Sequence, residues 1–152
     1  MIQIKVKING IEKLLSFPKT EITNKVTRAT VSFAEEFGTY LGKDDKDINP
    51  KSGKTMIVAA HLSTSQLRKF FGEVKRQDMN GYDETDFVLL KPKLAYAVGR
   101  ADKNSKIKDF FNVLSKAMDE VLKSTNPETS FKNFIKIFEA IVAYHKAAEE
   151  QK

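Results

Sequence analysis

Cysteine and tryptophan are absent from this chain of 152 residues, and only 4 prolines occur in it. Without cysteine, the chain forms no disulfide and supplies no thiolate for zinc, an iron–sulfur cluster or nucleophilic catalysis. Long hydrophobic runs are also missing, because no stretch approaches the roughly 18 apolar residues of a membrane span. The N-terminal residues MIQIKVKING lack the apolar segment of a signal peptide. We therefore expect a cytoplasmic chain without a membrane partner.

Apolar and basic side chains, by contrast, are plentiful. Apolar residues make up 41% of the sequence and include 11 phenylalanines. That content is enough for one hydrophobic core, so we predict a single domain over residues 1–152. Lysine and arginine number 26 against 20 acidic residues, which gives a net charge of +6. A basic excess points to an anionic partner, and a merely solvated basic surface is the alternative.

The hydrophobic pattern predicts one strand and several helices. Apolar and polar residues alternate over 2–8, and the following Asn9-Gly10 is a turn signal. Apolar stripes at helical spacing occupy residues 20–41, with Thr20 as cap, then 63–76, 92–99, 105–122 and the segment that Pro127 opens. The predicted fold class is mainly α: a small helical bundle of about five helices with a short N-terminal strand or hairpin.

The clearest helix start lies at Ser63. Its hydroxyl and the side chain of Gln66 have the spacing of a capping box, and Leu62 and Leu67 flank the pair as a hydrophobic staple. The intervening segment 42–54 is polar, charged and broken by proline, so we predict an exposed loop there.

That loop ends in KSGKT (51–55), which has the ending of a phosphate-binding loop. The motif requires a glycine where Ile48 stands, and Pro50 removes a backbone N–H that should face phosphate. The preceding residues KDDKD do not form a buried strand. A flexible basic loop is therefore the better interpretation than a nucleotide site.

Other chemical sites are equally poorly supported. Asp45, Asp47 and Asn49 have the spacing of a calcium loop, but Pro50 replaces its glycine and Met56 its glutamate. The two histidines lack metal-ligand spacing, and His145 lies on the apolar face of the last helix, where a satisfied core residue is expected. We therefore predict a binding protein without a metal, cofactor or catalytic site, not an enzyme.

Two neighbouring segments concentrate basic side chains. The first, within 63–76, carries Arg68, Lys69, Lys75 and Arg76, and the second, within 89–100, carries Lys91, Lys93 and Arg100 around Tyr96. Basic side chains beside an aromatic suit contact with a sugar–phosphate backbone. A solvated helix face is the alternative explanation.

Three blocks of the sequence together resemble a known family. They are LSTSQLRKFF (62–71), LLKPKLAYAVGR (89–100) and FKNFIKIFEAIVAYHK (131–146). Their order and content are similar to the small subunit of the type III-A (Csm) CRISPR interference complex. The resemblance defines a family-like core over 62–146 and leaves residues 1–60, with the exposed loop 42–54, as a variable N-terminal part.

The resemblance implies a small helical subunit without a catalytic site, which binds guide RNA and target RNA beside other Csm subunits. Several copies would form an inner filament, and free subunits would associate as dimers. Carried over by position, Arg68, Lys91, Lys93 and Arg100 are expected to contact phosphate. Helix geometry alone adds Lys69 and Arg76 to the RNA-binding set. Tyr96 is expected to pack in the core rather than to stack on a base.

The functional hypothesis is a non-catalytic subunit whose basic helix face lines the guide RNA–target RNA duplex in antiviral defence. The alternative is a helical protein–protein interaction module, or scaffold, without direct RNA contact.

Overall fold

Seven helical segments and two β-hairpins make up the described part of the chain, which is residues 2–8, 10–17 and 19–150 of a computed structural model. The helices are α1 (Thr20–Thr23), α2 (Arg28–Leu41), α3 (Thr64–Asn80), α4 (Glu84–Val88), α5 (Leu90–Arg100), α6 (Ile107–Lys123) and α7 (Pro127–Glu150). The strands are β1 (Ile2–Ile8), β2 (Ile11–Phe17), β3 (Asp45–Ile48) and β4 (Thr55–Ala59). The prediction of a mainly α fold is confirmed. The predicted number of about five helices matches the five long helices, and the structure adds α1 and α4, which are single turns.

The N-terminal hairpin pairs β1 with β2 antiparallel, in a register that places Ile2 opposite Phe17. Because successive side chains of a strand point to opposite faces, one face of the hairpin is buried. Its buried side chains are Ile4 and Val6 of β1 and Leu15 and Phe17 of β2. The alternating pattern therefore predicted the first strand correctly. Of the expected Asn9-Gly10 turn, Asn9 lies outside the described residues.

The helix predicted over 20–41 is interrupted. Residues 24–27 separate α1 from α2, and a capping box between Thr27 and Thr30 starts α2. Thr20 is not the cap, since Lys19 precedes α1 without a side-chain capping bond. The interruption has a tertiary cause: the Asn133 amide of α7 donates to the carbonyl oxygens of Ile22 and Asn24, at 2.9 and 3.1 Å.

The segment 42–54, predicted as an exposed loop, is not a loop throughout. It contains β3, which pairs antiparallel with β4 and places Ile48 opposite Thr55. Asp45 at the start of β3 is buried, whereas the KSGKT residues 51–55 are exposed at the turn and in the first residue of β4. An exposed hairpin turn lacks the strand–loop–helix arrangement that a phosphate-binding loop requires.

Lys106 joins three elements beneath this second hairpin. Its buried ammonium donates to the carbonyl oxygens of Tyr40 and Lys43, at 2.8 and 2.7 Å, where α2 ends. Asp45 of β3 lies 3.4 Å away, and the ammonium sits 3.8 Å from the centroid of the Tyr40 ring. A cation is favoured at this position because the last carbonyls of a helix have no partner within the helix.

The last helix, α7, is the centre of the core, because α1, α2, α3 and α6 all pack against it. Its Phe131, Phe134 and Phe138 are buried, and Phe87 of α4 meets the first two rings at 5.4 Å between centroids.

The capping box at Ser63 is present as predicted, and α7 begins at Pro127 as predicted. The apolar stripes predicted at 92–99 and 105–122 correspond to α5 and α6, with ends shifted by one or two residues.

Candidate nucleic-acid interface

The six side chains predicted to bind RNA all lie on α3 and α5, but they do not form one continuous face. Lys69, Lys93 and Arg100 line a groove between the two helices. Arg76 lies on the same side of α3, at its edge. Arg68 is on the other flank of α3, the side on which Phe71 meets Phe138 of α7 at 5.3 Å.

Glu73 of α3 forms ion pairs with two of the predicted phosphate ligands. Its carboxylate accepts from Arg76 at 2.7 and 3.0 Å and from the Lys93 ammonium at 3.3 Å. The hydrogen bond from Arg76 and the contact with Lys93 lower the pKa of Glu73 to about 2. The carboxylate is therefore ionised at neutral pH, since it takes up a proton only when the pH falls towards 2.

Lys91 is also paired, with Asp119 of α6. By contrast, Arg68, Lys69 and Arg100 make no ion pair with a carboxylate in the part of the chain that the structure describes. These three cations are the ones that a phosphate can reach without displacing an internal partner.

Tyr96 is exposed, and the prediction that it packs in the core is wrong. Its relative accessibility is 67%, and the Arg100 guanidinium lies 5.7 Å from its ring centroid. The reason is the orientation of α5, which packs on α6 and buries Leu90 and Leu94 on a different side. An aromatic residue in an amphipathic segment does not by itself report which face that helix buries.

The groove between α3 and α5 has a volume of about 730 Å³. It exists because α3 packs on α7 while α5 packs on α6, so their facing sides stay apart. Phe70, Pro92 and Ala97 line it with apolar surface, and Tyr96 stands at its side. It combines an apolar surface with a charged rim.

The remaining candidates have structural partners. The buried His145 places Nε2 2.5 Å from the carbonyl oxygen of Leu62, which fits the expected satisfied core histidine. Asp45 of the calcium-like spacing faces Lys106. Within residues 2–8, 10–17 and 19–150, no three His, Asp or Glu side chains are grouped so as to hold a metal ion. None of the described helices combines the length and apolar character needed to cross a membrane.

Comparison with known families identifies the group to which this chain is related. The family model Csm2 Type III-A matches residues 43–151. The chain belongs to the Csm2 Type III-A family. It is therefore a small subunit of a type III-A CRISPR complex, as the three sequence blocks predicted. Comparisons with curated proteins and with solved structures gave no match.

The match also extends the Csm2 resemblance beyond the core defined by the blocks. It begins at residue 43, ahead of residue 62, and so includes the β3–β4 hairpin. The N-terminal hairpin and the helices α1 and α2 precede it.

Sequence reasoning missed the acidic partners of the predicted site. Glu73 stands three residues before Arg76, a spacing at which helix side chains face each other, so this pair was detectable. The pairing of Lys93 with Glu73 and of Lys91 with Asp119 joins different helices. No local spacing reveals those two contacts.

Proposed function

We propose that this Csm2-family chain is a non-catalytic, RNA-binding subunit that lines the guide RNA–target RNA duplex of its complex. The observation that carries the proposal is that three of the six predicted phosphate ligands, Arg68, Lys69 and Arg100, are exposed and have no carboxylate partner among the described residues. The other three predicted ligands are held by Glu73 or Asp119, so Arg68, Lys69 and Arg100 are the ones whose charge is available on α3 and α5. Lys75, exposed on the Phe71 side of α3, adds to this charge.

Recognition by these side chains is based on the backbone and on shape. Arginine and lysine neutralise phosphates and release counterions, so affinity falls as salt rises. The deep major groove of an RNA helix hides its base edges, and base pairing with the guide reads the target sequence. A chain with few phosphate contacts binds weakly alone, and several copies side by side gain avidity.

The proposal extends to the assembly. Several copies stack along the duplex beside other Csm subunits in the cytoplasm, and the free chain associates as a dimer. One continuous core from Ile4 to Ile141 supports a single domain over residues 1–152. A non-catalytic role is supported by the structural contacts of two potentially reactive side chains. The Ser63 hydroxyl caps α3, and Nε2 of His145 contacts the carbonyl oxygen of Leu62.

A second candidate function is a protein–protein scaffold without RNA contact. It is favoured by the β3–β4 hairpin, which exposes Ile48, Met56 and Ile57. Apolar side chains exposed together on a small hairpin are typical of a surface that contacts another protein. The two functions are compatible if the hairpin contacts neighbouring subunits and the α3–α5 side contacts RNA.

We expect the double substitution Arg68→Glu/Arg100→Glu to weaken RNA binding at least about tenfold at low salt and to lower the salt slope by roughly 1.5, because two phosphate contacts are lost. The measurement is fluorescence anisotropy of a labelled RNA duplex about 40 base pairs long, which offers room for several copies. Titrations at four salt concentrations give the slope.

The matched control is Lys5→Glu/Lys7→Glu, which makes the same change of charge at exposed positions of β1. It should lose much less affinity than the α3–α5 variant. Equal losses in the two variants would mean that net charge, not this surface, attracts RNA. The scaffold function predicts that the wild type binds no RNA and that the variants still assemble. Sedimentation and subunit pull-down on the same variants measure the assembly.

Replacing Glu73 with glutamine should strengthen RNA binding by about fivefold at low salt, because it releases Arg76 and Lys93 for phosphate. The same anisotropy titration measures this, and the salt slope should become steeper by roughly 1.5, because two cations are released for phosphate. The gain should be constant across neutral pH, because the pKa of Glu73 is lowered to about 2 and its carboxylate is fully ionised there.

Glu128→Gln is the control for net charge, since Glu128 is exposed on the first turn of α7 and makes no ion pair with a cation of the interface among the described residues. If Glu73→Gln and Glu128→Gln gave the same small gain, Arg76 and Lys93 would not be phosphate ligands.

A further inference from the structure

The groove between α3 and α5 has a feature that binding to a regular duplex does not use. Its apolar lining of Phe70, Pro92 and Ala97 lies below a rim of charged side chains. A duplex presents only sugars and phosphates along its outer edge, and these would meet the rim. The apolar surface inside this groove, whose volume is about 730 Å³, would then have no contact with the RNA.

Tyr96 stands beside this apolar surface, and its side chain is 67% exposed. Among the residues that the structure describes, it is the one exposed aromatic side chain. Its hydroxyl lies 3.5 Å from an Arg100 nitrogen, and the guanidinium lies 5.7 Å from the ring centroid. The ring is thus held next to a cation while it offers a flat π surface, an arrangement suited to stacking a nucleic-acid base.

The charge of the rim selects the class of occupant. Among the described residues that line the groove, Lys69, Lys93 and Arg100 are the cations and Glu73 is the one carboxylate, so the groove is positively charged. Lys69 and Arg100 have no carboxylate partner among the described residues. An apolar peptide side chain would fill the groove and leave both cations unpaired. A nucleotide would cover the apolar surface with its base and pair the cations through its phosphate.

We propose that the α3–α5 groove binds one unpaired RNA nucleotide, with its base stacked on Tyr96 and its phosphate between Lys69 and Arg100. This inference rests on the proposed RNA-binding function and makes it more specific. The subunit then recognises a duplex that carries an unpaired or extruded nucleotide in preference to a continuous one, without reading which base it is, because every base has a π face.

The test compares three labelled RNA duplexes of about 20 base pairs, long enough for one subunit to reach both flanks. One is continuous, one carries a single unpaired nucleotide at its centre, and one carries an abasic nucleotide at that place. We expect the full-length wild-type chain to bind the bulged duplex about tenfold more tightly than the other two, as stacking of one base provides. Fluorescence anisotropy at fixed salt measures the three affinities.

A second experiment replaces the Tyr96 side chain. Tyr96→Ala should abolish the preference for the bulged duplex, whereas Tyr96→Phe, which keeps the ring, should keep the preference. Met79→Ala, at an exposed position that does not line the groove, should behave as the wild type. Because Tyr96 is exposed, its replacement leaves the core intact, and circular dichroism verifies this.

The outcomes separate the two hypotheses. Salt-dependent binding that is equal for all three duplexes would overturn the nucleotide site, keep the proposed function and leave the groove to an apolar side chain of a neighbouring subunit. A preference that survives Tyr96→Ala, or that the abasic duplex shares, would also overturn it. If no duplex binds at low salt, the proposed function fails and the nucleotide site fails with it.

Discussion

Replacing Lys106 with methionine should lower the free energy of unfolding by about 3–5 kcal/mol, the usual cost of removing one member of a buried ion pair. The substitution keeps the length and apolar stem of the side chain. It leaves the buried Asp45 without its cation and two carbonyl oxygens, those of Tyr40 and Lys43, without their donor. Urea unfolding followed by circular dichroism measures the change.

The loss arises from these unpaired groups rather than from a strong ion pair. Burial lowers the pKa of Lys106, against the opposing effect of Asp45, so enclosing the ammonium is itself unfavourable. Removing both charges should therefore be less damaging than removing one. We expect Lys106→Met/Asp45→Asn to be more stable than the sum of its single variants implies, by at least about 1 kcal/mol. Strict additivity in this double-mutant cycle would show that the two side chains do not interact in the folded chain.

Replacing Gly38 with alanine should destabilise the chain by about 2–3 kcal/mol, although alanine favours helices. A methyl group at Gly38 of α2 would lie 2.7 Å from the carbonyl oxygen of Ile141 and 2.8 Å from Cβ of Tyr144. Neither atom can move without its backbone, so α2 and α7 would have to separate. The melting temperature should fall by roughly 5–10 °C for a domain of this size.

Gly72→Ala is the matched control in α3. An added Cβ at Gly72 meets no atom within 4 Å, so only the helix preference of alanine acts there. We expect Gly72→Ala to stabilise the chain by about 0.5–1 kcal/mol. Opposite signs at the two glycines would support the close approach of α2 and α7, and a stabilised Gly38→Ala would refute it.

Local signals predicted the elements whose stability depends on neighbours in sequence. The capping box of Ser63 and Gln66 and the proline start of α7 both involve residues no more than one turn apart. The same is true of the alternation in β1. These patterns act on the backbone directly, and tertiary packing reinforces them.

Long-range contacts decided the places where prediction was wrong. The apolar stripe over 20–41 is continuous in sequence, yet Asn133, more than 100 residues away, takes the carbonyl oxygens of Ile22 and Asn24. The polar segment 42–54 became part of a hairpin whose first residue, Asp45, is buried against Lys106. No window of local sequence contains either partner.

The candidate site divides in the same way. Its basic composition, its location on two neighbouring helices and the pairing of Glu73 with Arg76 at helical spacing can all be read from the sequence. The pairing of Lys93 with Glu73, and the exposure of Tyr96, depend on how α5 lies against α6 and apart from α3.

The sequence by itself determined the helical class, the lack of thiol chemistry, the family and the two segments that carry the basic residues. Each of these depends on composition or on the order of residues along the chain. Only the tertiary structure decided that Lys91 and Lys93 are paired while Lys69 and Arg100 have no carboxylate partner among the described residues, and where an apolar groove opens between α3 and α5. The reason is that ion pairing and packing depend on distances between side chains of different helices. These distances are fixed only when α1, α2, α3 and α6 pack against α7.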